Sequence, residues 1–294
     1  MPAPVKPKLI KQYPQKKFRK LIPAWLEVEQ LELIQAVGRY HLIDVDLVRL
    51  WSGWGVRKTQ EQLRKLSLEG YLFRLPPTHY NLPDTKNPSA AFLLTNRGAK
   101  LLALVNSDKA QSYYPVSPSR LLDVRFLQHD LLVTRFCIDL ERSLKEIGGK
   151  VIATLNERQL RSTIAEGTIL KAGQLANVAD FYYCVEFTNG LRSHLFLEVE
   201  HRTRYLLRRW KSRFAGYVSF WLSGKFTKLF SPDKPNLGFQ VLTAVVTAKR
   251  VGELQNLCVQ TAKAQYQPFF LFAPFAEIQT TNVFKTTAWS KSLG

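Results

Sequence analysis

The sequence predicts a two-domain protein of mixed α+β and α/β class, in which a smaller helix-rich unit precedes a larger α/β unit. The 294 residues are sufficient for two domains, and the 46% of hydrophobic residues can supply a sizeable core. Helical periodicity dominates residues 25–68, whereas strand-like and helical runs alternate beyond residue 120. The polar, proline-bearing stretch 107–119 separates the two patterns and is interpreted as a linker.

Positive charge is concentrated in two parts of the chain. Lys and Arg number 42 against 23 Asp and Glu, which gives a net charge of +19. Residues 1–20 carry seven Lys or Arg and no acid, and residues 201–231 carry eight and again no acid. Because prolines interrupt the first block, residues 1–22 are predicted to form a flexible basic arm. Contact with a polyanion explains the surplus better than solubility does, and a solvated basic face is the alternative.

Residues 23–106 form the predicted N-terminal unit, which begins with two helices. Apolar residues recur at roughly helical spacing over 25–40, the pattern of an amphipathic helix that ends near Gly38. Asp44 follows and can cap a short second helix, because its carboxylate can accept a hydrogen bond from a backbone N–H of the first turn. These two helices are expected to support the element that follows them.

A third helix is predicted over 56–68, after a glycine-containing turn at 52–55. Leu63, Leu66 and Val56 are expected to face inward. The remaining positions are mostly polar or basic, and Arg, Lys and Gln side chains can contact phosphates and read base edges in the major groove. The residues of this helix predicted to contact DNA are Arg57, Lys58, Gln60, Gln62, Arg64 and Lys65.

A β-hairpin is predicted directly after the third helix. Gly70 stands where the end of a helix requires positive φ, and strand-like residues 71–75 follow it. A second strand is predicted over 91–95, beyond a long loop rich in Pro and Asn, and a further helix begins near Asn96. This order is typical of a winged helix-turn-helix DNA-binding domain. A small α+β packing module with no nucleic-acid role is the alternative.

The larger unit, residues 120–294, is predicted to alternate helices and strands. Its first helix is long and ends at Gly148 and Gly149, and an Asn-Gly turn at 189–190 indicates a hairpin. Basic residues and no acids occupy the helix that follows this hairpin. The predicted helices span 121–147, 204–222 and 251–264, and the predicted strands span 151–155, 179–187, 192–200, 238–247 and 269–272.

Acidic residues on the predicted hairpin are the candidates for chemistry. The period of two along a strand places Glu198 and Glu200 on one face, and Asp180 opens the partner strand. Neighbouring carboxylates repel one another unless a cation holds them, and Mg²⁺ and Mn²⁺ prefer carboxylate oxygens. Asp180, Glu198 and Glu200 are therefore candidate metal ligands, and a bound metal would activate water for phosphodiester cleavage. The alternative is a set of structural ion pairs, with Arg202, Arg204 or Arg208 as partners.

Residues 179–221, ADFYYCVEFTNGLRSHLFLEVEHRTRYLLRRWKSRFAGYVSFW, resemble the replication-relaxation family of plasmid and mobile-element proteins. In that family a strand-opening Asp precedes a Leu-Glu-Val-Glu/Asp strand and a basic helix that ends in Arg-x-x-x-Tyr. The corresponding residues here are Asp180, 197–200, Arg213 and Tyr217. The resemblance extends over most of the chain, through the shorter segments 94–99, 128–131 and 156–158.

The resemblance implies a winged helix fused to a domain similar to the PD-(D/E)xK nuclease fold. In that nuclease pattern a Lys stands two residues after the strand acid, where it positions the attacking water and stabilises developing charge. Here that position is Glu200, and Lys211 on the following helix is the candidate replacement. Arg213 with Tyr217 resembles a helical phosphate-contacting pair. The predicted DNA contacts on this helix are Arg208, Arg209 and Arg213.

Two functions are consistent with these features. The favoured one is a non-catalytic protein that binds double-stranded DNA and acts in replication, relaxation, mobilisation or transcriptional control of a mobile element. The alternative is a Mg- or Mn-dependent DNA nuclease of the PD-(D/E)xK type, whose catalytic residues would be Asp180, Glu198, Glu200 and Lys211. Whether the protein is an enzyme, and whether a cofactor is needed, is left open, as are a homodimer and other mobile-element proteins as partners.

Several other function classes lack their signatures in the sequence. Cys137, Cys184 and Cys258 are odd in number and far apart, which is typical of reduced core thiols. Neither a glycine-rich phosphate loop nor a nucleophile elbow is present. No apolar run reaches the ~20 residues that span a bilayer, and the start has no apolar stretch of signal-peptide length. A cytoplasmic protein without a membrane partner is therefore expected.

Overall fold

The computed structural model describes residues 23, 26–75, 89–105, 124–166, 178–201, 207–232, 238–285 and 290–291. Within these ranges the chain is a mixture of helices and strands, and the strands form a three-stranded and a six-stranded sheet. The predicted basic arm 1–22 and the predicted linker 107–119 lie outside the described residues. None of the described helices has both the length and the apolar character needed to cross a membrane.

The three-stranded sheet belongs to the N-terminal unit. Strand β3 lies in its centre, with β1 and β2 antiparallel on either side. The predicted hairpin is therefore confirmed, whereas β1 was not predicted, because three residues are too few to show a period. The elements are α1 (Val28–Tyr40), β1 (Leu42–Asp44), α2 (Val45–Ser52), α3 (Val56–Leu68), β2 (Leu72–Leu75), β3 (Ala91–Leu94) and α4 (Asn96–Val105).

Local capping signals fix the ends of α2 and α3. The Asp44 carboxylate accepts a hydrogen bond from the backbone N–H of Leu47 at 2.8 Å, so the predicted N-cap is confirmed. Gly70 follows α3 with a φ of 73°, a left-handed conformation that favours glycine. The expectation that Val56 faces inward was wrong. It is 45% exposed, because the first residue of α3 lies beyond the part of the helix that packs on α2.

The six-stranded sheet forms the centre of the larger unit, with strand order β4-β5-β6-β7-β8-β9. Strands β4 to β6 are antiparallel, β6 to β8 are parallel, and β9 is antiparallel at the edge. The elements are α5 (Val124–Glu146), β4 (Lys150–Asn156), α6 (Glu157–Glu166), β5 (Phe181–Glu186), β6 (Arg192–Glu200), α7 (Leu207–Leu222), α8 (Lys225–Phe230), β7 (Phe239–Val245), α9 (Ala248–Thr261), a 3₁₀ helix (Ala264–Phe269), β8 (Phe270–Pro274), α10 (Phe275–Thr280) and β9 (Ser290–Lys291).

Helices cover both faces of this sheet, and β6 contributes to both cores. Leu195, Leu197 and Val199 belong to the same buried cluster as the apolar residues of α5. Phe196 belongs to a second cluster, with residues of α7 and α9. The predicted alternation along β6 is therefore confirmed. It directs Glu198 and Glu200 towards α7 and α9, on the same face as Phe196.

Helix α5 packs against both units. The Thr134 hydroxyl donates a hydrogen bond to the backbone carbonyl of Leu42 in β1 at 2.7 Å. The Tyr183 hydroxyl of β5 donates to the Glu141 carboxylate at 2.8 Å, and Arg39 of α1 lies 3.4 Å from the same carboxylate. One continuous hydrophobic core includes residues from both sides of α5. The N-terminal unit is therefore held directly against the larger one.

Four short or displaced helices differ from the expectations. Helices α6, α8 and α10 were not predicted, because six to ten residues beside a strand end show little helical period. Helix α9 begins at Ala248, three residues before its predicted start. The reason is a cap, since the Thr247 hydroxyl accepts a hydrogen bond from the backbone N–H of Arg250 at 3.2 Å.

Candidate functional site

Glu198 is fully buried on β6 and is held by two side chains of α7. The Arg213 guanidinium donates to one carboxylate oxygen, and the Tyr217 hydroxyl donates to the other at 2.7 Å. Residues four apart on a helix lie on the same face, which is why both reach the same strand residue. Arg213, predicted to contact DNA, thus makes a buried contact to an acid, and its side chain is 31% exposed.

Glu200 is held in a similar way, but from two helices. Arg250 of α9 donates two hydrogen bonds to its carboxylate, from Nε and Nη2, each at 2.7 Å. The indole N–H of Trp210 in α7 donates a third at 2.9 Å. Sequence reasoning missed Arg250, because it lies fifty residues away along the chain and carries no local motif. Only the parallel β6–β7 pairing brings the start of α9 beside the end of β6.

Asp180 completes the backbone pairing at the end of β6. Its carboxylate accepts a hydrogen bond from the backbone N–H of Val199 at 2.8 Å. The His129 Nε2 lies 3.2 Å from the Val199 carbonyl oxygen and 3.4 Å from the Asp180 carboxylate. Strand β5 begins only at Phe181, so these two side chains satisfy backbone groups of β6 that no longer have a strand partner.

Charge is balanced within this group of residues. Burial alone would lower the pKa of His129, but the carboxylates of Asp180 and Asp130 raise it well above its ordinary value. Burial alone would raise the pKa of Asp180, but His129 and Arg213 lower it. For Glu198, burial outweighs the attraction of Arg213 and raises the pKa to about 7. The protein therefore supplies its own cations for carboxylates that were expected to bind a metal.

Two short segments of the family resemblance converge beside Asp180. His129 and Asp130 of α5 line a small crevice together with Asn156 and Glu157, at the junction of β4 and α6. The crevice has a volume of about 20 Å³, which is little more than one water molecule needs. The fold thus brings segments that are far apart in the sequence together beside Asp180.

The predicted metal ligands do not fit Mg²⁺ or Mn²⁺ as they are arranged. Each of the three carboxylates already accepts hydrogen bonds, and two are paired with an arginine. In the part of the chain that the structure describes, no group of three His, Cys, Asp or Glu side chains has an arrangement that could hold a metal ion. Glu198 and Glu200 instead form ion pairs within the protein, which was the alternative prediction. Their partners, however, are not the arginines expected from the sequence.

Three of the four basic residues singled out on α7 lie on its solvent side. Arg208, Arg209 and Lys211 are exposed, whereas Trp210 and Phe214 between and after them are buried. The cations that reach the acids are instead Arg213 and Arg250. Of the arginines first considered as partners, Arg208 points to solvent, and Arg202 and Arg204 lie outside the described residues.

Helix α3 divides its polar residues between two surfaces. One surface contacts α1, because positions 58, 62 and 65 follow helical spacing. These contacts are Lys58 to Glu29 at 2.6 Å, Lys65 to Glu27 at 3.7 Å, and Gln62 to Gln30 at 2.7 Å. Arg57, Gln60 and Arg64 lie on the other surface and are exposed, while Leu63 and Leu66 are buried beneath as predicted.

Comparison with known proteins identifies one family. Residues 40–231 match the family model described as replication-relaxation. The match extends from the end of α1 to the end of α8, so it includes α3, the β5–β6 hairpin and the basic helix α7. No curated protein and no solved structure matches the chain. The resemblance recognised from the sequence motifs is thereby confirmed.

Proposed function

Since the chain belongs to the replication-relaxation family, we propose that it binds double-stranded DNA in the replication or relaxation of plasmid or other mobile-element DNA. Helix α1, strand β1, helices α2 and α3, and the β2–β3 hairpin follow one another in the order of a winged helix. In helix-turn-helix domains the recognition helix enters the major groove. Helix α3 is the third helix in this order, so we assign it as the recognition helix.

The exposed surface of α3 is the observation that carries the proposal. Arg57, Gln60 and Arg64 project from it, while α3 is fixed from behind by buried leucines and by contacts with α1. Arg and Gln are side chains that hydrogen-bond guanine and adenine edges and also contact phosphates. Gln60 and Arg64 are four residues apart, so they can approach the same groove side by side.

Helix α7 offers a second basic surface. Arg208, Arg209 and Lys211 are exposed near its start, and no acid lies between residues 201 and 231. Such residues contribute affinity without reading sequence, because each phosphate that they neutralise releases counterions. We assign phosphate contact alone to this surface, and both base reading and phosphate contact to α3.

We also propose that the larger unit is a nuclease-like scaffold that does not cleave DNA. The contacts of the three acids support this proposal. The Asp180 carboxylate accepts a hydrogen bond from the backbone of β6. Glu198 binds Arg213 of α7, and Glu200 binds Arg250 of α9, so both acids hold helices against the sheet. A nuclease site needs carboxylate oxygens directed at a metal and a cation directed at substrate. Here the oxygens are directed at protein cations, and Lys211 lies on the solvent side of α7.

Binding of labelled duplex DNA over a series of salt concentrations tests the proposal. The double variant Arg57→Ala/Arg64→Ala should weaken binding and reduce the dependence of the binding constant on salt by about two phosphate contacts. The matched control is Arg142→Ala/Arg161→Ala, which removes two exposed arginines of α5 and α6. Equal loss in both double variants, or unchanged binding in the first, would show that α3 is not the DNA-contacting helix.

The alternative of a metal-dependent nuclease is supported by one observation. Asp180 immediately precedes β5, next to the Phe181–Leu197 pair, and its charge acts on Glu198 of β6. Incubation of supercoiled plasmid with the protein and Mg²⁺ or Mn²⁺ tests it, with Glu198→Gln as the comparison. Plasmid that stays intact contradicts the alternative. Cleavage that Glu198→Gln abolishes contradicts the non-catalytic scaffold.

A further inference from the structure

A cavity of about 510 Å³ lies between α3 and the β2–β3 hairpin. Sites for small molecules in proteins commonly have volumes of about 300–1,000 Å³. The cavity therefore has the size of a ligand site and is much larger than the crevice beside Asp180. The side chains that matter for its chemistry are Arg64, Leu68, Arg74 and Phe92.

Two arginines from different elements line this cavity. Arg64 comes from α3 and Arg74 from β2, and both are exposed at its rim. In the ranges that the structure describes, neither arginine is paired with a carboxylate. Lys58 and Lys65 of α3, in contrast, are both paired with glutamates of the chain. Two guanidinium groups at one opening repel each other unless an anion lies between them. The rim is therefore suited to a phosphate group.

The interior of the cavity is apolar rather than charged. Val45, Ala90 and Phe92 form its inner walls, and Leu68, which is 74% exposed, stands at the mouth. A free phosphate alone would not use these surfaces. A ligand that combines an anionic group with a flat apolar ring would cover both parts, and Gln60 at the edge can pair with polar ring atoms.

We propose that this cavity binds one unpaired nucleotide of a DNA strand, with its base against Leu68 and Phe92 and its phosphates on Arg64 and Arg74. A nucleotide unit carries a flat base and an anion in one molecule. A base within a duplex has both faces covered by its neighbours, so only an unpaired base can enter. The inference rests on the proposed DNA binding and adds that the preferred DNA contains an unpaired nucleotide next to duplex.

The test compares a blunt duplex with the same duplex carrying a short single-stranded overhang. Wild-type protein should bind the overhang DNA about five- to tenfold more tightly, the gain expected when one base stacks in a protein site. Leu68→Ala should abolish this preference and leave blunt-duplex binding within about twofold, because it removes apolar surface and no charge. Leu104→Ala is the matched control, since Leu104 is an exposed leucine of α4.

Substitution of Arg74 in β2 tests the nucleotide site independently of Leu68. Arg74→Ala should reduce the preference for overhang DNA and lower the salt dependence of its binding by about one phosphate contact. Leu68→Ala should leave that salt dependence unchanged. Arg142→Ala, which removes an exposed arginine of α5, should change neither quantity.

The outcomes separate this inference from the proposed function. Wild-type protein that binds both DNAs equally well overturns the nucleotide site but leaves duplex binding intact. Failure to bind either DNA overturns the proposed function itself. Competition by free deoxyadenosine monophosphate at micromolar concentration, without any preference for overhang DNA, would assign the cavity to a free nucleotide and overturn its assignment to a DNA strand.

Discussion

The guanidinium of Arg250 donates two hydrogen bonds of 2.7 Å to the Glu200 carboxylate, and the two side chains are only 5% and 3% exposed. This pair joins the start of α9 to the end of β6, across the parallel β6–β7 pairing. A planar guanidinium matches a carboxylate in this bidentate geometry. The pair lies at the centre of the larger unit, where either charge alone would be costly.

Arg250→Met should therefore destabilise the protein strongly. Removal of one partner of a buried pair typically costs about 3–5 kcal/mol in the free energy of unfolding, because the other charge stays buried. The measurement is urea denaturation followed by circular dichroism. The double variant Glu200→Gln/Arg250→Met should recover part of the loss, since no unpaired charge is left.

The surface pair between Arg161 and Glu157 provides the control. These side chains are 49% and 29% exposed, and Arg161→Ala should cost less than about 1 kcal/mol. A loss for Arg250→Met as small as that for Arg161→Ala would show that the Glu200 contact contributes little to the fold.

Divalent cations should not stabilise the wild-type protein. A ligand that binds only the folded state raises the melting temperature, by an amount that increases with its concentration relative to its dissociation constant. Asp180, Glu198 and Glu200 already accept hydrogen bonds from protein groups, so Mg²⁺ or Mn²⁺ finds no ready set of oxygens. The melting temperature should be the same with millimolar Mg²⁺, with Mn²⁺ and with a chelator. A rise with either metal that Glu198→Gln removes would contradict the proposed scaffold role.

The parts of the fold that sequence analysis predicted correctly have local causes. Asp44 caps α2, Gly70 ends α3 with positive φ, and the Asn-Gly turn at 189–190 joins β5 to β6. Each signal lies within a few residues of the structure that it determines. Likewise, Leu63 and Leu66 are buried because their spacing already defines one face of the helix.

The partners of the acids could not be predicted in the same way. The residues considered first were near Glu200 in sequence, whereas the actual partner, Arg250, is brought there by the parallel crossover. Arg74 was also missed, because one exposed arginine on a strand gives no pattern. It becomes informative only when the structure places it at the same cavity as Arg64.

Stability should fall with decreasing pH partly through His194. Its Nδ1 lies 2.7 Å from the Tyr182 hydroxyl, and burial, with a smaller effect of Arg192, lowers the pKa of His194 to about 4. Between this value and the ordinary pKa of about 6.5, the unfolded chain takes up a proton that the folded chain does not. The free energy of unfolding should therefore decrease as pH falls from about 7 to about 4.

The contribution of His194 is isolated by His194→Gln, which keeps a polar partner for Tyr182 and does not titrate. Urea denaturation at a series of pH values should give a shallower loss of stability on acidification for this variant than for wild type. Identical pH profiles for the two proteins would mean that His194 titrates normally in the folded state.

The effect of replacing Asp44 on stability should depend on whether the new side chain has an oxygen that can accept the hydrogen bond from the Leu47 backbone N–H. Burial raises the pKa of this carboxyl to about 6, although the hydrogen bond from Leu47 opposes the shift. Asp44→Ala removes the cap and should cost about 0.5–2 kcal/mol in the free energy of unfolding. Asp44→Asn keeps the acceptor and avoids burying a charge, so it should be at least as stable as wild type near neutral pH.

The difference in unfolding free energy between wild type and Asp44→Asn should change with pH in the opposite direction from the effect of His194. Because the folded pKa of Asp44 lies above its ordinary value of 3.8, wild type binds a proton more readily when folded. Acidification from about pH 6 to about pH 4 should therefore stabilise wild type relative to Asp44→Asn. The measured quantity is the difference between their unfolding free energies at each pH. A difference that stays constant would show that the N-cap carboxylate of α2 is not destabilised by its burial against the core.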